Sequence, residues 1–398
     1  MIYCLRNSIQ HYAWGSKTFI PELLGESSPA EKPCAELWMG AHTRAPSLVL
    51  APDGNLPLSE LIRQDPEGML GSRETGRLPF LFKVLAATHP LSIQAHPSLD
   101  QAREGYEKEN AAGVVPDAFN RNYKDPNHKP ELICALTPFD ALSGFRDLND
   151  IAGLFSYLKI DREIPGVAKF LSSPDANTFQ LFFRELLNLS EKQSSEFLVH
   201  LFHCVNQAER RSEEEELTFG WTIKLLNSYP DDIGAFAPIL LNTVRLQPGE
   251  ALYMKAGILH AYLNGAGIEI MANSDNVLRG GLTAKHVDIP ELLKALIFTG
   301  SPARIIRPET TDRIEFIYST PAREFQLSRI DLNNSDLFNS GLRSGAEIIL
   351  STNGFAQIVR GREDHKLAIK KGESIFIPFS AGDYTIRGNA TLYRAASP

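Results

Sequence analysis

Short apolar runs broken by Gly and Pro dominate the first third of the chain: PSLVLAP at 46–52, PFLFKVLAA at 79–87 and PLSIQAHP at 90–97. Runs of this length between breakers predict strands. Ser98 followed by Gln101 is a capping-box pattern, which predicts a helix over QAREGYEKEN with Gly113 past its end. From about residue 146 to 232 the period becomes helical. Ile151, Leu154, Phe155 and Leu158 share one face, as do Phe179, Phe182, Leu186 and Leu189. Ser190 with Gln193 opens a further helix through Phe197, Leu201 and Val205. The acidic run from Glu213 to Glu216 reads as a solvated face or a loop. Strand patterns return at 238–273, a short helix with Asp288 as N-cap follows at 288–298, and the tail from about 320 is strand-rich.

Two β stretches resemble each other. Gly249-EALYM-Lys255-Ala-Gly257-Ile-Leu-His260 can be laid on Gly372-ESIFI-Pro378-Phe-Ser-Ala-Gly-Asp383, each followed by a second strand with a Gly (Gly265, Gly388). Hairpins look alike in general; the sharper reading is two copies of a small antiparallel barrel, of which only the first keeps a His.

Length and charge narrow the classes. The chain has 398 residues and a formal net charge of −8. That balance disfavours a coat for nucleic acid or anionic membrane, so an anionic ligand would need a local cluster of Lys and Arg. Cys4, Cys34, Cys134 and Cys204 lack CxxC spacing, and the N-terminus lacks the apolar region of a signal peptide. No apolar run of about 20 residues could span a bilayer. A cytoplasmic protein is expected, with no nucleic-acid or membrane partner.

The segment Gly249-x5-Lys255-x-Gly257-x2-His260-x3-Asn264 resembles the second cupin motif, with Lys255 where cupins usually have Pro. A Gly-centred turn would aim His260 into a barrel mouth, where a ligand or metal would offset its desolvation; a core His satisfied by hydrogen bonds is the plainer alternative. Gln94 and His96 lie at i and i+2, so on a strand both can reach one ion. Glu131, in Asn127-His128-Lys129-Pro130-Glu131-Leu132, is the best carboxylate to join them. Gln94, His96, Glu131 and His260 form an N/O set suited to zinc.

These segments carry a wider resemblance. HYAWGS at 11–16, AELWMGAHTRAPS at 35–47, SIQAHPS at 92–98, NYKDPNHKPEL at 122–132 and SDNVLRGGLTAKH at 274–286 resemble the type I mannose-6-phosphate isomerase family over nearly the whole chain. The resemblance implies a zinc-dependent aldose–ketose isomerase that interconverts mannose 6-phosphate and fructose 6-phosphate through an enediol. It implies one zinc per chain, on Gln94, His96, Glu131 and His260, and an active-site Arg279. Thr283-Ala284-Lys285 stands where family members commonly have Thr-Pro-Lys.

Such a reaction needs a base, an electrophile for the developing oxyanion and a grip on phosphate. Arg279 and Lys285, six apart on a Gly-containing loop, supply two positive groups for the phosphate. Glu269 alternates with Ile268 and Ile270, so it faces away from them and could serve as base with a raised pKa. Lys129, His128 and Asp275 are the other candidates, and the choice among the four stays open. Asp275 could also orient Arg279. Lys83 and Tyr262 read as pocket lining, His11, Trp14 and Trp38 as structural. His42, His89, His200, His203, His286 and His365 receive no role. Proton rather than hydride transfer is favoured, since no flavin or nicotinamide fingerprint is present.

The expected fold is mainly β: tandem cupin (jelly-roll) barrels with an α-helical insertion. Residues 1–145 and 233–319 would form the catalytic barrel, 146–232 the insertion, and 320–398 a metal-free second barrel burying Ile348, Ile349 and Ile375 against its own second sheet. A monomer acting on a small sugar phosphate is expected, with an oligomer left open. The alternative from another class is a non-catalytic metal-binding sugar-phosphate sensor of the same fold. A metal-dependent cupin oxygenase is disfavoured by the Gln-containing ligand set.

Overall fold

The computed structural model describes residues 1–50, 54–72, 76–160, 164–310, 312–360 and 365–398. It is organised around strand Phe80–Ala87, whose eight residues are all buried. Apolar residues on both faces let it sit in mid-sheet, between Glu36–Met39 and the long strand His260–Ala272. The stretch 46–52 forms only the short strand Leu48–Val49, and residues 51 and 52 lie outside the described residues.

His260–Ala272 joins two leaves of one sheet. Its first residues pair with Ile93–Ala95 and Phe139–Phe145, and its later ones with Phe80–Ala87 and Glu131–Ala135. The change of partner falls at a register shift between Tyr262 and Asn264 and at Gly265, whose φ is 119°. A Cβ at Gly265 would lie 2.6 Å from the carbonyl oxygen of Pro138, so the crossing needs a glycine twice over.

A second sheet runs Glu315–Tyr318, Gln326–Leu332, Tyr384–Ala396, Glu347–Arg360, Ser374–Ile377, Tyr3–Arg6, Leu48–Val49 and Leu56–Pro57. The internal likeness has a structural counterpart. Ala251–Met254 and Ser374–Ile377 each follow a positive-φ glycine (Gly249, Gly372) and precede a 13-residue strand holding another, Gly265 or Gly388. Strand order closes neither sheet into a barrel among the described residues.

Two details depart from the sequence reading. Tyr3–Arg6 pairs with Ser374–Ile377, so the stretch 1–145 is shared between both sheets. Ile349 and Ile375 pack within the second sheet's own core, but Ile348 joins Phe80, Val84 and Leu37 in a core common to both sheets. The cause is strand alternation: neighbours on Glu347–Arg360 point to opposite faces, and both faces are covered.

Helices Leu148–Leu158, Val167–Ser172, Ala176–Leu187, Glu191–Gln207 and Glu213–Ser228 occupy the middle of the chain. Phe155, Phe170, Phe179, Phe182 and Phe183 bury their apolar faces together with Phe145 of the sheet. The capping boxes at Ser98 and Ser190 form, and Asp288 accepts a hydrogen bond from the Glu291 amide. Glu213 to Glu216 form the first turn of a helix capped by Ser212, not a loop. Negative charge suits that position, because unpaired amides make a helix start electropositive. No helix among the described residues is long and apolar enough to cross a membrane.

Candidate active site

Strand register brings the candidate residues together from distant segments. Gln94 pairs with His260 on one side and with Arg279 on the other, Glu269 sits opposite Lys83 and Ile133, and Met271 sits opposite Glu131. His96 follows Gln94 by two residues, which brings His96, His260 and Glu131 to one point.

At that point Glu131 Oε2 lies 3.2 Å from His96 Nε2 and 3.3 Å from His260 Nε2. All three atoms are buried and lack a hydrogen-bond partner. A donor left unpaired at such depth is costly, and three of them converging is the mark of a metal site. Tetrahedral zinc with bonds of 2.0–2.1 Å holds its donors about 3.3 Å apart. The tautomers are arranged as well: His96 Nδ1 donates to the Asn276 carbonyl at 2.8 Å and His260 Nδ1 to the Ile258 carbonyl at 2.9 Å. In a neutral imidazole so held, it is Nε2 that carries the lone pair. Burial holds His96 neutral, with a pKa lowered to about 4 against the pull of Glu131. Burial works against ionised Glu131, but the Lys129 ammonium beside it outweighs that and holds the carboxyl well below its usual range. Lys129 Nζ contacts the other Glu131 oxygen, Oε1, at 2.7 Å.

Above this floor opens a cleft of about 680 Å³. Gln94, Lys129, Glu131, Lys83, Glu269, Tyr262, Asp275, Arg279 and Lys285 all line it. On one wall Lys83 Nζ lies 2.9 Å from Glu269 and 3.7 Å from Glu36, itself bonded by Trp38 Nε1 at 2.6 Å. Burial opposes the Lys83 charge, but Glu269 and Glu36 raise its pKa. Glu269 is shifted upward by burial, with Lys83 opposing and Glu131 adding to the rise. Burial, followed by the nearby charge of Glu269, disfavours ionisation of Tyr262, whose hydroxyl makes no hydrogen bond of ordinary geometry.

The mouth is cationic. Neither Arg279 nor Lys285 has an ion-pair partner among the described residues, and Arg44 and Lys124 line the same cleft. Burial lowers the pKa of Arg279; partial burial, then Arg279, Lys124 and Arg44, lower that of Lys285. Repulsion of this kind is relieved when an anion binds.

Asp275 does not face Arg279. Its Oδ1 takes Arg44 at 2.6 Å and lies 3.6 Å from His42 Nε2. Burial acts against its charge, yet His42 and Arg44 lower its pKa to about 2. The native carboxylate is thus favoured above an unfolded pKa of about 3.9, and that stabilisation is lost as pH falls through about 2. The stability gap between wild type and Asp275→Asn should therefore narrow across that window in acid denaturation. A constant gap would place the effect in packing.

His128 lies off the cleft, 2.6 Å from Glu324. Trp14 and Trp38, read as structural, line the cleft, as does His89, while His11 is exposed with Nδ1 on the Pro33 carbonyl. Glu36, Arg44 and Lys124 also line the cleft, without a motif of their own in the sequence. Glu36 did leave a signal, a carboxylate beside Leu37, Trp38 and Met39 in a fully buried strand; Arg44 and Lys124 sit on turns with no periodicity to betray them.

The chain is also similar to known proteins over nearly its whole length. The family model "Phosphomannose isomerase type I, catalytic domain" matches residues 2–148, and the family's helical insertion domain matches residues 162–241. The chain is 41% identical to mannose-6-phosphate isomerase of Escherichia coli, covering 98% of each, and 33% identical to the Homo sapiens enzyme, covering 94% and 93%. A zinc-bound mannose 6-phosphate isomerase superposes with a TM-score of 0.92 at 39% identity, over 100% of this chain and 99% of the other. A point mutant of phosphomannose isomerase from Salmonella typhimurium gives 0.93 at the same identity and coverage.

Proposed function

Because the chain belongs to the type I phosphomannose isomerase family, we propose that it interconverts mannose 6-phosphate and fructose 6-phosphate as a zinc-dependent aldose–ketose isomerase. The observation that carries this reading is the convergence of three orphaned donors, His96 Nε2, Glu131 Oε2 and His260 Nε2, beneath a cleft with a cationic mouth. We assign zinc to these three with Gln94 as the fourth ligand. When bound, zinc supplies Lewis acidity toward the sugar's oxygens as negative charge develops.

The chain's own residues do the rest. Arg279 and Lys285 grip the phosphate and fix the sugar's direction in the cleft, and Arg279 also offsets the negative charge that develops during the reaction. Glu269 is assigned as the base that removes a proton from one carbon and returns it to the next. Burial places its pKa above that of an ordinary carboxylate, where a base works better near neutrality. Lys83 holds Glu269 in place, and Tyr262 packs beside it. Asp275 is too acidic for that task, and His128 is turned away. Lys129, against Glu131, is assigned to the exchange of the hydroxyl proton.

The reading carries an architecture with it: jelly-roll-like modules in tandem, an inserted helical module at about 146–232, and a C-terminal module from about 320 without metal. A monomer is taken as the working unit and the cytoplasm as its setting.

Supplying mannose 6-phosphate and following fructose 6-phosphate tests the activity; failure to convert either into the other would end the reading. Lys285→Ala should raise KM for mannose 6-phosphate by roughly 10-fold or more, the worth of one charge-assisted hydrogen bond, with kcat little changed. An equal loss on unphosphorylated mannose would contradict the phosphate grip.

A further inference from the structure

Asn276 is fully buried in the loop between the long strand and Arg279, and its side chain uses all of its hydrogen-bonding capacity. Oδ1 accepts from the amides of Lys124 and Asp125 at 2.7 and 3.2 Å. Nδ2 donates to the carbonyls of Asp125 and Asn127 at 2.7 and 2.9 Å. Its own amide donates to Ser274 Oγ at 3.2 Å, and its carbonyl receives His96 Nδ1 at 2.8 Å.

The four side-chain contacts tie two pieces of the site to each other. The turn at 124–127 leads directly into Lys129 and Glu131, and the loop that carries Asn276 leads into Arg279. The carbonyl of the same residue orients His96. We infer that Asn276 is a positioning residue that sets His96 against Glu131, and so tunes the affinity of the chain for zinc. Only an amide serves here. Asp keeps the volume but loses both donors and sets a carboxylate against two carbonyls; Ala leaves two amides and two carbonyls unpaired at depth. Backbone displaced by either change moves the carbonyl that His96 needs, and outer partners of this kind are worth about 10- to 100-fold in metal affinity.

The inference rests on the metal site proposed above, and the test separates the two. Zinc affinity of the holoprotein is measured by chelator competition for wild type, Asn276→Ala, Asn276→Asp and Arg343→Ala. Arg343 makes a comparable set of bonds, to the carbonyls of Gly345, Ile377 and Pro378, none of which lines the cleft. Both Asn276 variants should bind zinc about 10- to 100-fold more weakly, while Arg343→Ala should lower the melting temperature and leave zinc affinity unchanged. Asn276 variants with wild-type affinity, or a failure of both to fold, would overturn the inference alone, the second by assigning Asn276 to the fold. A wild-type chain that binds no zinc would overturn the metal site itself.

Discussion

His260→Ala should lose both zinc and activity, and it is expected to be the most damaging change in the protein. The strand His260–Ala272 delivers the imidazole to a point where Glu131 Oε2 is 3.3 Å away. Removing it leaves three ligands of the proposed four and frees Glu131 Oε2 from half of its surroundings. Zinc content, measured by elemental analysis against about one ion per chain for wild type by that ligand count, should fall well below stoichiometric. Stripping wild type with a strong chelator should likewise abolish turnover, and added zinc should restore it. Full activity in protein shown to be metal-free would remove Lewis acidity from the mechanism. Two tightly held ions per chain, one of them lost when residues 320–398 are deleted, would overturn the metal-free assignment of the C-terminal strands.

Arg279→Ala should lower kcat by about 10²- to 10³-fold, the range for losing one preorganised charge at a reacting centre, with zinc content near that of wild type. The two outcomes separate because Arg279 touches none of the three converging donors, although its strand neighbour Gln94 is the proposed fourth ligand. The guanidinium lines the cleft without an ion-pair partner among the described residues, so its truncation leaves no carboxylate stranded. A variant with near-normal turnover would exclude Arg279 from the chemistry. One that loses zinc in proportion to rate would make it a support of the metal site instead.

Much of this site can be read from the residues in order. Gln94 and His96 declare themselves by a spacing of two, although the strand Ile93–Ala95 ends one residue before His96; Glu269 does so by a carboxylate between two isoleucines, and the helix starts by side chains that cap them. Each of these is a local property: strand alternation, helix period and capping act over two to four residues. The weak points of such reading were local too. The run from Glu213 to Glu216 has no apolar period; it is a solvated face, as its charge suggests, but on the first turn of a helix, where the field of the helix start and partners such as Arg211 suit it.

The sequence by itself determined which residues could bind metal, which could hold an anion, and where the helices capped by Ser98, Ser190 and Asp288 begin. Tertiary structure alone decided who meets whom. Asp275, four residues from Arg279, turns to Arg44, 231 positions away along the chain. Tyr3–Arg6 crosses to the C-terminal sheet, and Ile348 enters a core shared by both sheets. Glu36 and Lys83 come into range because Glu36–Met39 and Phe80–Ala87 are adjacent strands, and Glu269 joins them across Phe80–Ala87. Pairing between distant strands depends on which buried faces fit together over the whole molecule, and no short window of sequence carries that information.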